Sequence, residues 1–337
     1  MENVALAKAA KALVERCAGI KQKEQVLILT DYEYPQSIPK AIFNAAFAAG
    51  AEAIVFTMSP RESSGISMVG DLPKALGPSI LASDVFFVCT TKRPPPGSEL
   101  RNLRDQMLKK GGKTLNLYMV TEEMFLNSVP IDYGLMAHRV STIAKLLPET
   151  QTATMTTPNG TNISYSLKGR RVYAQADGVA LPGESEAYPA GYVDISPAEG
   201  SANGTVVFDG TLSYTYASIM ESIGQILEPI VCRVKDGKVV EIDGGFQAKA
   251  LEKNMKAGDM NASNFGETAI GFNPGALPNT GVMLENERSA GVLMVGLGRN
   301  THVLGKVESN FHFDATFLHG SLILDGRKVI EDMAFKI

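Results

Sequence analysis

The chain contains little cysteine and no tryptophan. Its 337 residues include three cysteines, Cys17, Cys89 and Cys232, which lie far apart in the sequence. This spacing excludes a disulfide framework and a cysteine-based metal cluster. Because oxidising compartments favour paired cysteines, which are missing here, we expect a reduced, cytoplasmic protein.

Long hydrophobic runs and a surplus of basic charge are also missing. There is no apolar run of about 18 residues, so the sequence predicts no transmembrane span. The first 20 residues are amphipathic and lack the uninterrupted apolar block of a signal peptide. The formal net charge is −4, which argues against nucleic acid as a partner.

Strands and helices alternate over residues 1–150. Short apolar runs are typical of buried parallel strands; they occur at 25–30, 53–57, 82–89 and 114–118, with predicted helices at 37–49, 72–80 and 98–110. This order predicts an α/β domain, flavodoxin-like or Rossmann-like, with a parallel sheet. Neither a Gly-x-Gly-x-x-Gly motif after the first strand nor a Walker loop is present, so we expect no nucleotide cofactor.

Hairpins replace this pattern after residue 150. Pairs of short strands flank turn-forming sequences, a pattern typical of antiparallel sheets; the pairs are 154–157 with 163–166, 230–234 with 238–242, and 322–324 with 328–330. One helix is expected at 246–257. We place the domain boundary at 148–152, so that residues 151–337 form a mainly antiparallel α+β domain.

Three of the four histidines, His302, His312 and His319, fall within 18 residues in this second domain. His312 and Asp314 are two residues apart, and side chains with this spacing on a β-strand point to the same face. An imidazole beside a carboxylate is half of a divalent-metal site. The alternative is a hydrogen-bonded strand pair. His302 taken alone is more typical of a surface histidine, and we expect His319 to be structural or solvent-facing.

Glu267 lies in an apolar, glycine-rich run, where a lone buried carboxylate is energetically costly. A bound metal ion would offset that cost. The alternatives are a helix N-cap or a salt bridge with Arg288 or Arg299. Glu285 and Glu287 alternate with polar residues, which favours a solvated face.

The ordered set of these segments resembles the superfamily of aminopeptidase T-type metallopeptidases and 2,5-dihydroxypyridine 5,6-dioxygenase. The likeness runs along nearly the whole chain and includes the βαβ first domain and four later segments, 188–197, 204–209, 243–245 and 312–314. It implies a divalent-metal enzyme with a metal-binding second domain, and a homodimer.

The aminopeptidases hold two metals through shared carboxylates and histidines. By resemblance, Glu267, His312 and Asp314 are ligands. Two further ligand positions differ in this chain, because Tyr192 stands where a glutamate is expected and Met294 where a histidine is expected.

The dioxygenase holds one iron(II) through two histidines, an aspartate and a serine. His312 and Asp314 match this pattern too, and the run 298–306 is similar. Ala269 and Gly296 stand at the positions of the other histidine and the serine. A histidine base expected in the first domain is also replaced.

Combining the residues with both resemblances, we expect a site for Zn²⁺, Mn²⁺ or Fe²⁺, since two carboxylates and two imidazoles suit these ions. The expected ligands are Glu267, His302, His312 and Asp314.

The first functional hypothesis is a hydrolase of the aminopeptidase T type, which cleaves an amide or related C–N bond of a small molecule or short peptide. The metal would activate a water, with Glu285 or Glu287 as catalytic base. Lys92 and Arg93 follow a predicted parallel strand, where such sheets present ligand sites. They are expected to bind a substrate carboxylate, the alternative being a solvated loop. Tyr192 is expected to pack, with its hydroxyl lining the site.

The second hypothesis is a mononuclear non-haem iron(II) enzyme that opens an N-heteroaromatic or dihydroxylated ring. The run 298–306 favours it, whereas Glu267 favours the hydrolase. The third is a non-catalytic, peptide-binding relative, which the substituted ligands motivate. On the sequence we rank the hydrolase first, by a narrow margin.

Overall fold

The computed structural model describes residues 2–64, 67–95, 97–214 and 224–337. The chain forms two compact units, Met1–Asp132 with Gly178–Ala190, and Tyr133–Asp177 with Gly191–Ile337. The boundary expected at 148–152 falls inside the second unit.

The helices of the described residues include a π-helical turn, Ala12–Cys17, and a 3-10 turn, Thr301–Val303. The α-helices are α1 (Glu2–Lys11), α2 (Ser37–Ala48), α3 (Leu76–Leu81), α4 (Glu99–Lys109), α5 (Glu122–Ser128), α6 (Tyr133–Glu149), α7 (Phe246–Ala257) and α8 (Met283–Asn286). No helix in the described ranges is long and apolar enough to cross a membrane.

The strands are short. They are β1 (Gln25–Asp31), β2 (Glu52–Met58), β3 (Ser63–Ser64), β4 (Ser67–Met68), β5 (Val85–Cys89), β6 (Lys113–Asn116), β7 (Thr152–Thr156), β8 (Asn162–Ser166), β9 (Val172–Ala176), β10 (Ser185–Ala187), β11 (Tyr192–Ile195), β12 (Asn203–Phe208), β13 (Thr211–Tyr214), β14 (Gly224–Gln225), β15 (Ile230–Lys235), β16 (Lys238–Asp243), β17 (Phe265–Gly271), β18 (Leu293–Gly298), β19 (His312–Phe317), β20 (Ser321–Leu324), β21 (Arg327–Glu331) and β22 (Ala334–Phe335).

The first unit is built on a parallel sheet of order β10-β6-β5-β1-β2. Strand β5 is buried along its whole length, as expected for a parallel strand covered on both faces. On one face Leu27 and Phe86 pack against Leu76 of α3 and Leu100 of α4. The predicted α/β order with a parallel sheet is therefore confirmed.

The second unit contains two antiparallel sheets, of order β14-β13-β19-β18-β17-β11-β9 and β16-β15-β12-β8-β7-β20-β21-β22. All three predicted hairpins are present in the second of these sheets, as β7–β8, β15–β16 and β20–β21. The predicted helix at 246–257 is α7. The mainly antiparallel second half is therefore confirmed.

Several strands were not predicted, and one of them belongs to the parallel sheet of the first unit. Ser185–Ala187 pairs in parallel with β6 and joins the sheet of the first unit, although it follows β9 in the sequence. A three-residue strand is too short to give a periodic hydrophobic pattern, so the sequence carried no signal for this pairing.

Candidate metal centre

Three neighbouring antiparallel strands bring the site's side chains onto one face. Glu267 on β17 pairs with Gly296 on β18, and Gly296 pairs with Asp314 on β19. Directly paired residues share a face of a sheet, and His312 shares it too because it lies two residues before Asp314. The register therefore groups two carboxylates and one imidazole around a glycine.

His302 reaches the same place from the 3-10 turn after β18. Its Nε2 atom lies 3.0 Å from Glu267 Oε2. Its ring meets that of His312 edge to face, with ring centroids 4.4 Å apart. The structure thus brings the histidine that the sequence alone would place at the surface into the cluster.

The cluster has the dimensions of a cation site. One ligand atom from each of Glu267, His302 and His312 lies within 4.8 Å of the others. His312 Nε2 is 3.7 Å from Glu267 Oε2 and 3.1 Å from Asp314 Oδ1. Three of the four expected ligands form this group and Asp314 lies beside His312; two imidazoles with carboxylates fit a divalent metal.

The backbone selects which nitrogen of His312 faces the cluster. Nδ1 lies 2.9 Å from the carbonyl oxygen of Arg299. A carbonyl oxygen accepts hydrogen bonds and never donates them, so Nδ1 carries the hydrogen. The Nε2 atom then points at Glu267 and Asp314, and a partner of this kind commonly orients a metal-bound histidine.

Burial and crowding change the proton affinities of the metal-free cluster. Burial, followed by the charge of Asp314, raises the pKa of Glu267 from 4.5 to about 7. Burial by itself lowers the pKa of His312, but the carboxylates of Asp314 and Glu267 outweigh it and raise that pKa from 6.5 to about 8. Buried carboxylates held close together repel one another, and a bound cation would relieve that repulsion.

Tyr192 connects Glu267 to an arginine. Its hydroxyl donates to Glu267 Oε1 over 3.2 Å, and the guanidinium carbon of Arg288 lies 3.9 Å from the centroid of its ring. Tyr192 also packs with Ala269 and Met294 in a buried apolar cluster. These three residues stand at positions where the sequence comparison expected ligands, so apolar packing occupies them.

Gly296 is required by the close approach of the ligands. A Cβ atom at this position would lie 2.9 Å from Glu267 Cβ, 3.1 Å from Asp314 Oδ1 and 3.2 Å from His312 Cε1. Any side chain here would push the ligands apart. Gly296, which stands at the position of the dioxygenase serine, therefore leaves space for the side chains of Glu267, His312 and Asp314 to approach one another.

Asn300 holds the loop that carries His302. Its buried side chain donates through Nδ2 to Ser196 Oγ over 3.0 Å and accepts through Oδ1 from the Val307 amide over 2.8 Å. Gly305 packs so closely that an added Cβ would lie 2.1 Å from Asn300 Cγ. The loop is therefore folded around this amide.

The two candidate bases lie in different surroundings. Glu285 accepts hydrogen bonds from the Leu277 amide over 3.2 Å and from Thr280 Oγ1 over 3.1 Å, and these two bonds tie it to the preceding loop. Glu287 forms an ion pair with Arg288, with Oε1 3.2 Å from Nε. Neither carboxylate belongs to the described three-ligand group, and a role as base stays a prediction for both.

Lys92 and Arg93 belong to the first unit and follow β5, as expected. The carbonyl oxygen of Lys92 accepts from Thr90 Oγ1 over 2.9 Å. The Arg93 guanidinium lies 5.9 Å from the centroid of the Tyr118 ring. Substrate binding by this pair stays a prediction.

Sequence reasoning selected Glu267, His302, His312 and Asp314 as expected ligands but assigned no role to Asn300. Arg288 was considered as an ion-pair partner of Glu267, whereas it pairs with the adjacent Glu287. The available signal for Asn300 was its place in a Gly-Arg-Asn turn, where asparagine commonly bonds to the backbone. Its link to Ser196 is a contact across 104 residues that no local pattern contains.

The match to known families is extensive. The family described as NicX, 2,5-dihydroxypyridine 5,6-dioxygenase, matches residues 5–336. The chain belongs to this family. The superfamily expected from the sequence is therefore confirmed.

A curated member of the family is similar over part of its length. The 2,5-dihydroxypyridine 5,6-dioxygenase of Pseudomonas putida strain KT2440 is 24% identical over 237 residues. The aligned stretch covers 67% of this chain and 65% of that relative.

Two solved structures share the fold. The 2,5-dihydroxypyridine dioxygenase from Pseudomonas putida KT2440 superposes with a TM-score of 0.76 at 19% identity, covering 99% of this chain and 97% of that one. AmpT from Thermus thermophilus gives a TM-score of 0.69 at 13% identity, with both chains fully covered. One fold thus serves a dioxygenase and an aminopeptidase, and the side chains of the site must distinguish the reactions.

Proposed function

We propose that this family member is a mononuclear non-haem iron(II) dioxygenase that opens a small hydroxylated aromatic ring. The observation that carries the proposal is the convergence of Glu267, His302 and His312 within 4.8 Å. Two histidines and one carboxylate with open positions are typical of non-haem iron(II) oxygenases. Membership of a family described by a ring-cleaving dioxygenase supports the same reaction.

The apolar cluster favours one metal over two. Tyr192, Ala269 and Met294 pack together beside Glu267, on the face of the sheet that carries the ligands. Their side chains offer no carboxylate or imidazole for a second cation. This argues against the two-metal arrangement of the aminopeptidases and reverses the order in which the sequence alone ranked the two reactions.

The chain's own residues would hold and tune the iron. His302 and His312 would bind through Nε2 and Glu267 through Oε2. Tyr192 donates to the other oxygen of Glu267 and so fixes the carboxylate, while Asp314, whose Oδ1 lies 3.1 Å from His312 Nε2, would serve as a fourth ligand. Iron(II), when bound, supplies adjacent positions for the ring and for O₂.

The reaction needs no external electron donor. One carbon–carbon bond of the hydroxylated ring breaks, and both oxygen atoms of O₂ enter the ring-opened product. The ring is oxidised and O₂ is reduced. 2,5-Dihydroxypyridine, the compound in the relatives' name, is the first substrate to test.

A metal-dependent hydrolase is the second candidate. Two histidines and one glutamate also form catalytic zinc sites, in which an open position holds the attacking water. The fold shared with AmpT is compatible with it. The two candidates differ in their need for oxygen.

The deciding experiment measures metal content and oxygen uptake on one preparation. Protein purified under argon and loaded with Fe²⁺ is expected to bind about one iron per chain, because the described residues contain one three-ligand cluster. On mixing with O₂ and 2,5-dihydroxypyridine, it is expected to consume oxygen and to place both atoms of ¹⁸O₂ in the product.

Two variants and one control accompany it. Removal of a ligand in His302→Ala or His312→Ala is expected to abolish uptake. His319→Ala is the matched control, because His319 is exposed and pairs with Asp332. Release of free amine from aminoacyl substrates without oxygen, with no uptake on 2,5-dihydroxypyridine, would instead support the hydrolase.

A further inference from the structure

Arg288 is a nearly buried cation at the rim of the metal cluster. Its side chain is 12% exposed, and its guanidinium lies on the ring of Tyr192. Tyr192 in turn donates to Glu267. The positive charge therefore stands about one phenol ring away from a metal ligand, a distance comparable with the length of a small aromatic substrate.

The guanidinium has unused hydrogen-bonding capacity. Within the described ranges its contacts are the ring of Tyr192 and an ion pair with Glu287, and the buried Nε makes no hydrogen bond. Arg170 has a similar exposure, 11%, yet it donates directly to Glu199. The terminal nitrogens of Arg288 are not among the buried unsatisfied atoms, so in the described residues the donor left without an acceptor in a buried place is Nε, and an unsatisfied buried donor costs stability.

A purely structural role for Arg288 accounts for its contacts with Tyr192 and Glu287 but not for its terminal N–H groups. Stacking on Tyr192 and pairing with Glu287 would hold Arg288 in place, but neither contact uses the planar fork of its terminal N–H groups. That fork matches a carboxylate, which it binds through two parallel hydrogen bonds. Glu287 and Tyr192 therefore hold the Arg288 guanidinium in place and leave its terminal N–H groups to bind another acceptor.

We propose that Arg288 binds a carboxylate of the substrate, so that the substrate is a small aromatic ring bearing an anionic carboxyl group. The location rests on the proposed function, because the carboxylate would meet Arg288 beside the Tyr192 ring and the substrate ring would reach toward the expected metal ligands. His302 has the most exposed side chain of the cluster, at 22%. The proposed substrate therefore differs from 2,5-dihydroxypyridine, the compound in the relatives' name, by carrying a carboxylate group.

The test measures equilibrium binding, without turnover. Fe²⁺-loaded protein under argon is titrated calorimetrically with benzoate and with benzamide, which have the same shape and differ in charge. Charge-assisted bidentate hydrogen bonds are expected to make benzoate bind about 10- to 100-fold more tightly. Equal binding of the two probes by the unaltered protein would overturn the proposal.

Variants assign the preference to one side chain. In Arg288→Gln the ratio of the two dissociation constants is expected to fall to about one, and in Arg288→Lys to an intermediate value, since lysine keeps the charge but loses the fork. Arg139→Gln is the matched control, because Arg139 stacks on Phe335 at 4.9 Å. It should keep the full ratio.

Persistence of the ratio in Arg288→Gln would assign the preference to the metal and refute the proposal. Thermal unfolding and iron content of each variant are measured alongside. Because no oxygen is present, this outcome is independent of the oxygen-uptake assay. If the protein consumes oxygen but binds benzoate and benzamide equally, only the role of Arg288 is refuted. If it prefers benzoate but consumes no oxygen, only the dioxygenase proposal is refuted.

Discussion

The hydroxyl of Tyr192 donates a hydrogen bond to Oε1 of Glu267 over 3.2 Å. Tyr192, which stands at a position where a ligand was expected, thus orients Glu267, another of the expected ligands. The other oxygen of the carboxylate is left facing His302 and His312. Tyr192 therefore supports the candidate cluster through a hydrogen bond instead of contributing a carboxylate to it.

Tyr192→Phe should weaken metal binding while leaving the fold intact. The variant keeps the ring that packs with Ala269 and Met294 but removes the hydrogen bond that holds Glu267. Loss of such a supporting contact typically costs about 10- to 100-fold in metal affinity. Competition against a chelator of known affinity measures the change.

The matched control is Tyr165→Phe. Tyr165 is equally buried and packs on Phe265, but its hydroxyl bonds to Thr268 instead of Glu267. An equal loss of metal affinity in both variants would show that the effect comes from general loosening of the unit.

Gly296→Ala should damage the centre by crowding. The added methyl would lie within 2.9–3.2 Å of atoms of three ligands. Overpacking of this kind typically costs about 1–3 kcal/mol of stability, and the displaced ligands should lose at least about tenfold in metal affinity. Urea unfolding and metal titration measure the two effects.

Gly77→Ala serves as the control, because a Cβ there would meet Leu103 at an ordinary 3.5 Å. Normal metal affinity in Gly296→Ala would contradict the close packing of the ligands around this position.

Asn300→Ala should release the loop that carries His302. The variant loses the bonds to Ser196 Oγ and to the Val307 amide, each worth about 1 kcal/mol net and more where a buried partner is left unsatisfied. We expect lower metal affinity and faster amide hydrogen exchange in residues 300–307.

Asn203→Ala is a control elsewhere in the same unit, at the start of β12, where the Asn203 side chain accepts from the Asp236 amide. It should leave the metal affinity unchanged. Unaltered exchange in the 300–307 loop of Asn300→Ala would refute the role assigned to the buried amide.

The stability of the metal-free protein should fall as the pH rises from about 4.5 to about 8. The folded-state pKa values of Glu267 and His312 are both raised, to about 7 and about 8. The folded state therefore binds more protons than the unfolded state in this window, and stability decreases as the pH increases. Below about 4.5 both groups are protonated in either state, so their contribution is fully present.

Urea unfolding of chelator-treated protein across this range checks the slope. Glu267→Gln should flatten its lower part, since the titrating carboxyl is gone, while His319→Ala should leave the slope unaltered. A stability that rises between about pH 5 and 8 because of these two groups would contradict the raised values.

The sequence alone determined the order of the two halves, ten of the strands and half of the candidate metal centre. Buried strands such as Val85–Cys89 and the hairpin turns can be predicted from local sequence, because hydrophobic periodicity and turn-forming residues act over a few positions. The pair His312 and Asp314 followed from strand geometry in the same way.

Tertiary structure decided the rest. The register of β17, β18 and β19 places Glu267 and Asp314 on either side of Gly296, and the Asn300 loop brings His302 to the same point. Tyr192, Ala269 and Met294 pack together at positions where ligands were expected. The ring of Tyr192 also contacts the guanidinium of Arg288. These contacts join residues far apart in sequence, and they depend on sheet pairing and side-chain volume that no local pattern encodes.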